Sequence, residues 1–340
     1  MKILILGANG FIGNALSRSL LCGGKHEVYG MDLESNKLGK TLTDPNFHFL
    51  DGDIDINNEW IEYHIMKCDV VIPLVAIATP NVYVKDPLRI FHLDFEANLK
   101  IVKWVATYNR RLVFPSTSEI YGMCEDEKFN EYTSRLVLGP VHKNRWIYSA
   151  SKQLLDRVII AHGENEQLLC TIFRPFNWIG PKLDSLGQAQ LGNGRVVSIF
   201  LYNLIHGKDI VLVNGGKQRR AFTYLDDGID ALVRIIEMDG SSLNGKIFNI
   251  GNPANDISIK ELAEMMIEVY NTMMGTRYQG KIVTQHEMEF YGRGYEDIPM
   301  RVPDISEARR ELLWEPKNGI HDTIAKTMEL YLREEGCLED

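Results

Sequence analysis

The feature that most constrains this 340-residue chain is one short turn, Gly7-Ala8-Asn9-Gly10-Phe11-Ile12-Gly13. It follows an aliphatic run, Lys2 to Leu6, and opens a stretch, Phe11 to Leu21, whose apolar residues recur at helical spacing. The order is strand, glycine turn, helix. Gly7 permits the tight turn out of the strand, Gly10 lets the backbone approach a pyrophosphate, and Gly13 lets the helix pack closely on the sheet. The helix N-terminus adds unpaired N–H donors and a favourable dipole. Nineteen residues after Gly13, Asp32 closes a second apolar run, Glu27 to Met31. A carboxylate there accepts hydrogen bonds from adenosine ribose hydroxyls and repels a 2′-phosphate, so the expected cofactor is NAD rather than NADP. Gly7, Asn9, Gly10, Phe11, Ile12, Gly13 and Asp32 form the first part of the expected cofactor set.

Further short apolar runs at Phe47–Leu50, Val70–Leu74, Leu112–Phe114 and Leu169–Phe173 alternate with amphipathic stretches such as Pro87–Tyr108 and Ala150–His162. That alternation predicts an α/β fold of Rossmann type, a doubly wound parallel sheet with helices on both faces. After Pro175 it weakens into loop-rich text, including Leu186 to Gly194, before helical patterns resume at Val196–Ile205, Leu225–Met238 and Ile259–Tyr270. The expected division is a cofactor domain over residues 1–176, with returning elements near 217–255, and a smaller C-terminal substrate lobe over 177–340. With 45% hydrophobic residues the chain can bury a sizeable core. A net charge of −9 argues against general attraction to nucleic acid, so an anionic substrate must be met by a local cluster of arginine or lysine. Five widely spaced cysteines, without a C-x-x-C pair or a Cys/His cluster, make a metal site unexpected and suit a reducing compartment. No apolar run is long enough for a signal peptide or a membrane span. The expectation is a cytoplasmic protein.

Two Tyr-x-x-x-Lys patterns occur, Tyr63…Lys67 and Tyr148…Lys152, and with 14 tyrosines about one match is expected by chance. Context separates them. The chemistry needs a phenol and an ammonium one helical turn apart, the cation favouring the phenolate. Tyr63 and Lys67 read as a solvated helix face. Tyr148 and Lys152 open the helix that runs to His162, downstream of the strand Leu112–Phe114 and its polar end Pro115-Ser116-Thr117-Ser118-Glu119. Ligand sites in doubly wound sheets lie beyond the carboxyl ends of strands, so this second pair is the expected catalytic one.

Together, Gly7-x-x-Gly10-x-x-Gly13, Asp51-Gly52-Asp53-Ile54, Ser116 to Gly122, Tyr148-x-x-x-Lys152 and Arg174-Pro175-Phe176-Asn177 resemble the extended short-chain dehydrogenases over nearly the whole chain. Within that family, Ala76 to Pro80, Arg145 to Ser149, Pro175 to Pro181 and Phe290 to Tyr295 resemble the UDP-glucuronate decarboxylase domain of the bifunctional enzymes of aminoarabinose synthesis, without their formyltransferase domain. The resemblance implies that Thr117, Ser118, Glu119, Tyr148, Lys152 and Arg301 form the catalytic set. Asp53, Ile54 and Lys152 join the cofactor set. Tyr83, Arg145, Asn177, Arg195 and Tyr295 would hold UDP-glucuronate, and Arg220 would bind its phosphates. Val211 departs from the pattern, standing where a lysine is expected. A homodimer or larger homo-oligomer is also implied.

The activity so implied is NAD-dependent oxidation of UDP-glucuronate at C4 followed by loss of CO2, giving UDP-4-keto-pentose and NADH. A UDP-xylose synthase would use the same residues and return the hydride, and the segment Gly194 to Ser198 also resembles such enzymes. A UDP-sugar 4-epimerase fits Glu119 less well, and a non-catalytic NAD-binding protein fits the intact Tyr148 and Lys152 less well.

Overall fold

The structure, a computed structural model, describes residues 1–166 and 168–338. Gln167, Glu339 and Asp340, which fall within the expected 1–176 and 177–340 units, lie outside the described residues. Seven strands form the main sheet: β1 (Lys2–Leu6), β2 (Glu27–Asp32), β3 (Phe47–Asp51), β4 (Val70–Pro73), β5 (Arg111–Pro115), β6 (Cys170–Pro175) and β7 (Lys246–Ile250). Their order is β7-β6-β5-β4-β1-β2-β3, and every pairing is parallel. The chain winds outward from β1 through β2 and β3, then restarts at β4 on the other side of β1. The crevice between β1 and β4 is therefore the switch point at which such sheets bind ligands. Gly7 lies in it, and Leu74 N–H donates to Leu6 O at 2.7 Å alongside.

The helices that carry the argument are α1 (Phe11–Leu21), α2 (Asn58–Lys67), α3 (Asn98–Thr107), α4 (Trp146–Glu166), α5 (Val196–Ile205), α6 (Leu225–Glu237), α7 (Ile259–Met274), α8 (Ser306–Leu312) and α9 (Ile320–Glu334). Successive strand side chains point to opposite faces, and both faces are buried. Ile3 and Ile5 of β1 join a core with α1, α6 and Trp314, whereas Leu4 and Leu6 join a core with α2, α3 and Leu155 and Ile159 of α4. A third core ties α5, α7 and α9 to the strand Ile210–Val213. Ser258 and Glu261 start α7 with a reciprocal capping box.

Three stretches differ from their sequence reading. The helix carrying Tyr148 begins at Trp146 and not at the catalytic pair itself. The loop-rich text after Leu183 holds a short helix, Leu186–Gln190, because the Ser185 hydroxyl accepts from Gln188 N–H and caps it. The stretch Pro87–Tyr108 is interrupted by a π-helical turn, His92–Ala97. There the Asn98 side chain donates to Leu93 O at 2.8 Å and to Val75 O at 3.1 Å, occupying a carbonyl that a regular helix would use.

All five cysteines are free. Among the described residues no helix is long and apolar enough to cross a membrane, and no His, Cys, Asp and Glu group is placed to hold a metal ion.

Candidate active site

The glycine turn has the geometry that a dinucleotide requires. Gly7 has φ +89°, open to glycine at little cost, and a Cβ there would sit 3.0 Å from the Leu74 carbonyl carbon. A Cβ on Gly13 would collide with the Gly7 carbonyl oxygen. Gly10 caps α1 without a side chain, and no acidic residue stands in the first turn, so the helix N-terminus is left for an anion. Asp32 faces this turn, one carboxylate oxygen accepting from Asn9 N–H at 2.8 Å and the other from Leu33 N–H at 2.8 Å. The Asn9 side chain donates to Asn36 and accepts from Lys37 N–H. Asp53 and Ile54 follow β3 beside β2, where Gly52 N–H donates to Asp32 O at 2.8 Å. Phe11 and Ile12 line the main cleft of the molecule. These residues fit NAD.

Beyond β5 the chain turns at Pro115, and Thr117 caps the 3-10 turn Ser118–Tyr121 by accepting from Glu119 N–H at 3.2 Å. This cap aims Thr117, Ser118 and Glu119 into the cleft. Tyr148 on α4 lines the same cleft and is buried against Tyr83, the two rings stacked 4.7 Å apart and 11° from parallel. Burial pushes the Tyr148 phenol well above its ordinary value, and the negative charges of Asp94 and Glu119 push the same way. A hydrogen bond with Thr117 opposes them. Lys152, one turn further along α4, is buried, its Nζ 3.3 Å from Pro115 O and 5.1 Å from the centre of the Phe114 ring. The other Tyr-x-x-x-Lys pair is on α2, where Tyr63 is exposed and Lys67 lies over the Tyr29 ring.

The arginines converge as the charge argument requires, each with a carboxylate beside it. Glu119 sits between Arg145 Nη1 at 3.2 Å and Arg301 Nη1 at 3.1 Å. Burial would raise the Glu119 carboxyl, but Arg145 and then Arg301 outweigh it and hold it below the ordinary glutamate range. Glu119 is thus an anion. Burial and the nearby Arg220 guanidinium push Arg301 down to about 10. Arg220 donates to Asp297 and to Ile298 O, both at 2.7 Å. Arg195 pairs with Asp184 at 2.8 Å and lies over the Phe11 ring. Tyr295 stacks on Tyr291 at 3.9 Å, and the Arg145 guanidinium lies 5.6 Å from its ring. Asn177 holds φ +43° and donates to Ala221 O at 3.2 Å. All six substrate residues expected from the sequence therefore line one cleft, together with Thr117, Ser118, Glu119, Tyr148 and Arg301, while Val211 adds an apolar side chain to it.

Sequence reasoning missed the acids that hold these cations. Asp297 stands two residues after Tyr295 and Asp184 eleven before Arg195, but neither falls in a motif that marks it as an arginine partner. Asp94 left a signal: it falls with Ile90, Ala97, Asn98 and Ile101 on the buried face of its helical stretch, where an acid is out of place unless paired.

The family model of NAD dependent epimerases/dehydratases matches residues 3–251. Among solved structures, PbgP3 protein from Burkholderia pseudomallei is 48% identical, covers 99% of each chain and superposes with a TM-score of 0.88. Pal from Bacillus thuringiensis is 26% identical over 98% of this chain and 100% of that one, with a TM-score of 0.81. UDP-glucuronic acid 4-epimerase from Bacillus cereus, solved with UDP-glucuronic acid and NAD, is 21% identical over 98% of this chain and 100% of that one, with a TM-score of 0.80, a likeness of fold.

Proposed function

This chain belongs to the NAD dependent epimerase/dehydratase family, and on that premise we propose that it oxidatively decarboxylates UDP-glucuronate, yielding UDP-4-keto-pentose, CO2 and NADH. The supporting observation is the buried chain Arg145–Glu119–Arg301 on the cleft that holds Tyr148 and Thr117. Glu119 offsets one of the two guanidiniums, so the cluster keeps a net positive charge on the cleft that suits a sugar carboxylate and that a neutral sugar does not require.

Bound NAD supplies the hydride acceptor and a cationic ring whose charge draws a nearby phenol toward its anion. Tyr148 takes the proton of the sugar 4-hydroxyl as C4 is oxidised, with Thr117 bonded to the phenol. The resulting 4-ketone is β to the C6 carboxylate. Carbon dioxide therefore leaves with its bonding pair delocalised into the enolate, which the Tyr148 hydroxyl stabilises. Glu119, kept ionised by its two arginines, disfavours the charged substrate carboxylate and favours its loss. Ser118 orients that carboxylate. Arg301, lowered to about 10 by burial and by Arg220, serves in this reading either to orient the carboxylate or to return a proton at C5. Arg195, Arg220 and Tyr295 hold the nucleotide diphosphate, Arg220 exchanging Asp297 for phosphate oxygens.

Incubating the protein with UDP-glucuronate and NAD+, following NADH by absorbance and identifying the sugar by NMR, tests this reading. NADH equal to the keto-pentose formed supports it. A pentose without net NADH assigns a UDP-xylose synthase, and UDP-galacturonate assigns a 4-epimerase. Tyr148→Phe is expected to lower NADH formation about 100-fold or more. Full activity in that variant would sink the scheme.

A further inference from the structure

Asp94 is completely buried on the π-helical turn His92–Ala97. One of its oxygens accepts from Ile77 N–H at 3.3 Å. The other, Oδ1, has no hydrogen-bond partner and lies 3.5 Å from Lys152 Nζ. Lys152 is equally buried, and its other contacts are the Pro115 carbonyl and the face of Phe114. A lone ammonium in such surroundings is costly, and removing one partner of a buried pair leaves the other uncompensated. Asp94 thus sets a compensating charge 3.5 Å from that ammonium.

Ile90, one turn before Asp94, packs in one cluster with Tyr83 and Tyr148, which brings the same carboxylate near the phenol. The charged and polar groups that act on Tyr148 are Asp94 from the π-helical turn, Glu119 and Thr117 from the turn after β5, and Arg195, with the Tyr83 ring stacked on it. Resting on the dehydrogenase chemistry proposed above, we propose that Asp94 is the positioning residue of the Tyr148–Lys152 pair. Its buried carboxylate anchors the Lys152 ammonium beside Pro115 and sets a negative charge against the Tyr148 phenol. Burial pushes the Asp94 carboxyl up to about 6 against the opposing pull of Lys152, so its charge changes near neutral pH. The π-helical turn serves this placement, since it carries Asp94 on the buried face that meets α4.

The expected consequences are directional. Asp94→Asn removes a negative charge from the phenol's surroundings, so Tyr148 should ionise about one pH unit lower. The acidic limb of the pH profile for NADH formation should move with it, the KM for NAD staying within about twofold. Ultraviolet difference titration of phenolate in the NAD-loaded protein, with Tyr148→Phe as the reference, reads the first effect without any sugar. A titration unmoved in Asp94→Asn, at unchanged melting temperature and NAD affinity, overturns the proposal. Should Asp94→Asn not fold, Lys152→Met in the same chain removes the uncompensated ammonium and is expected to restore folding; failure of that double variant to fold would leave Asp94 a purely structural residue and also overturn the proposal. A protein that shows the phenolate shift but forms no NADH from UDP-glucuronate overturns the substrate reading and leaves this one standing.

Discussion

Burial moves several carboxyl groups in this molecule, and at Glu131 it outweighs the opposing Asn249 N–H and Arg174, with Asp304 adding to it. One oxygen accepts from Asn249 N–H at 2.7 Å, the other has no hydrogen-bond partner, and burial lifts the carboxyl to about 7. The folded state then binds a proton between about pH 4.5 and 7 that the unfolded chain does not, so Glu131 makes stability fall as pH rises through that window. Glu131→Gln keeps the acceptor and removes the titration. The variant is expected to gain on the order of 2 kcal/mol relative to the wild type near pH 8, a few degrees in melting temperature, and to converge with it near pH 4. Parallel melting curves across that range would refute the assignment. Residue placement at this scale was legible where a pattern demanded it: Gly7 and Gly13 in a tight turn, Asp32 facing it, Tyr148 on the cleft and Tyr63 exposed. It was not legible for Asp297, whose cation lies 77 positions away, and for Asp94 the apolar helix face called for a partner without naming the lysine 58 positions on.

At the scale of elements, short apolar runs announced β1 to β6 to within a residue or two, because strands buried on both faces have little freedom of composition. Helix ends were less legible, since caps such as Ser185 and inserted side chains such as Asn98 decide them locally. The tightest junction between elements is the one the glycines predicted. Gly13→Ala would drive a methyl group into the Gly7 carbonyl and bring it within 2.9 Å of Ala8 Cα, separating α1 from β1. A loss of about 1–3 kcal/mol in stability and at least a tenfold loss in NAD affinity are expected. Thermal melting and an NAD titration check both, and an alanine variant with wild-type NAD affinity would show that close packing of α1 is not needed for the cofactor.

At the scale of the whole molecule, the cleft is an assembly of distant parts. Glu119 meets Arg145 from 26 positions away and Arg301 from 182, and Arg220 meets Asp297 from 77. If a sugar carboxylate is what the first cluster recognises, UDP-glucuronate should bind at least tenfold more tightly than UDP-glucose, and Arg301→Gln should narrow that ratio while leaving affinity for UDP within about threefold. Calorimetric titration of the three ligands reads this directly, and equal affinity for the two sugars in the wild type would remove the carboxylate from the account. The sequence by itself determined the parallel sheet, the switch-point crevice and the cofactor turn, because unbroken apolar runs in strands buried on both faces and glycine sterics act over a few residues and leave local marks. Only the tertiary structure decided which charges face one another, Glu119 between two arginines and Asp94 behind Lys152. An ion pair needs no particular spacing along the chain, only the low-dielectric place that the folded sheet and helices create.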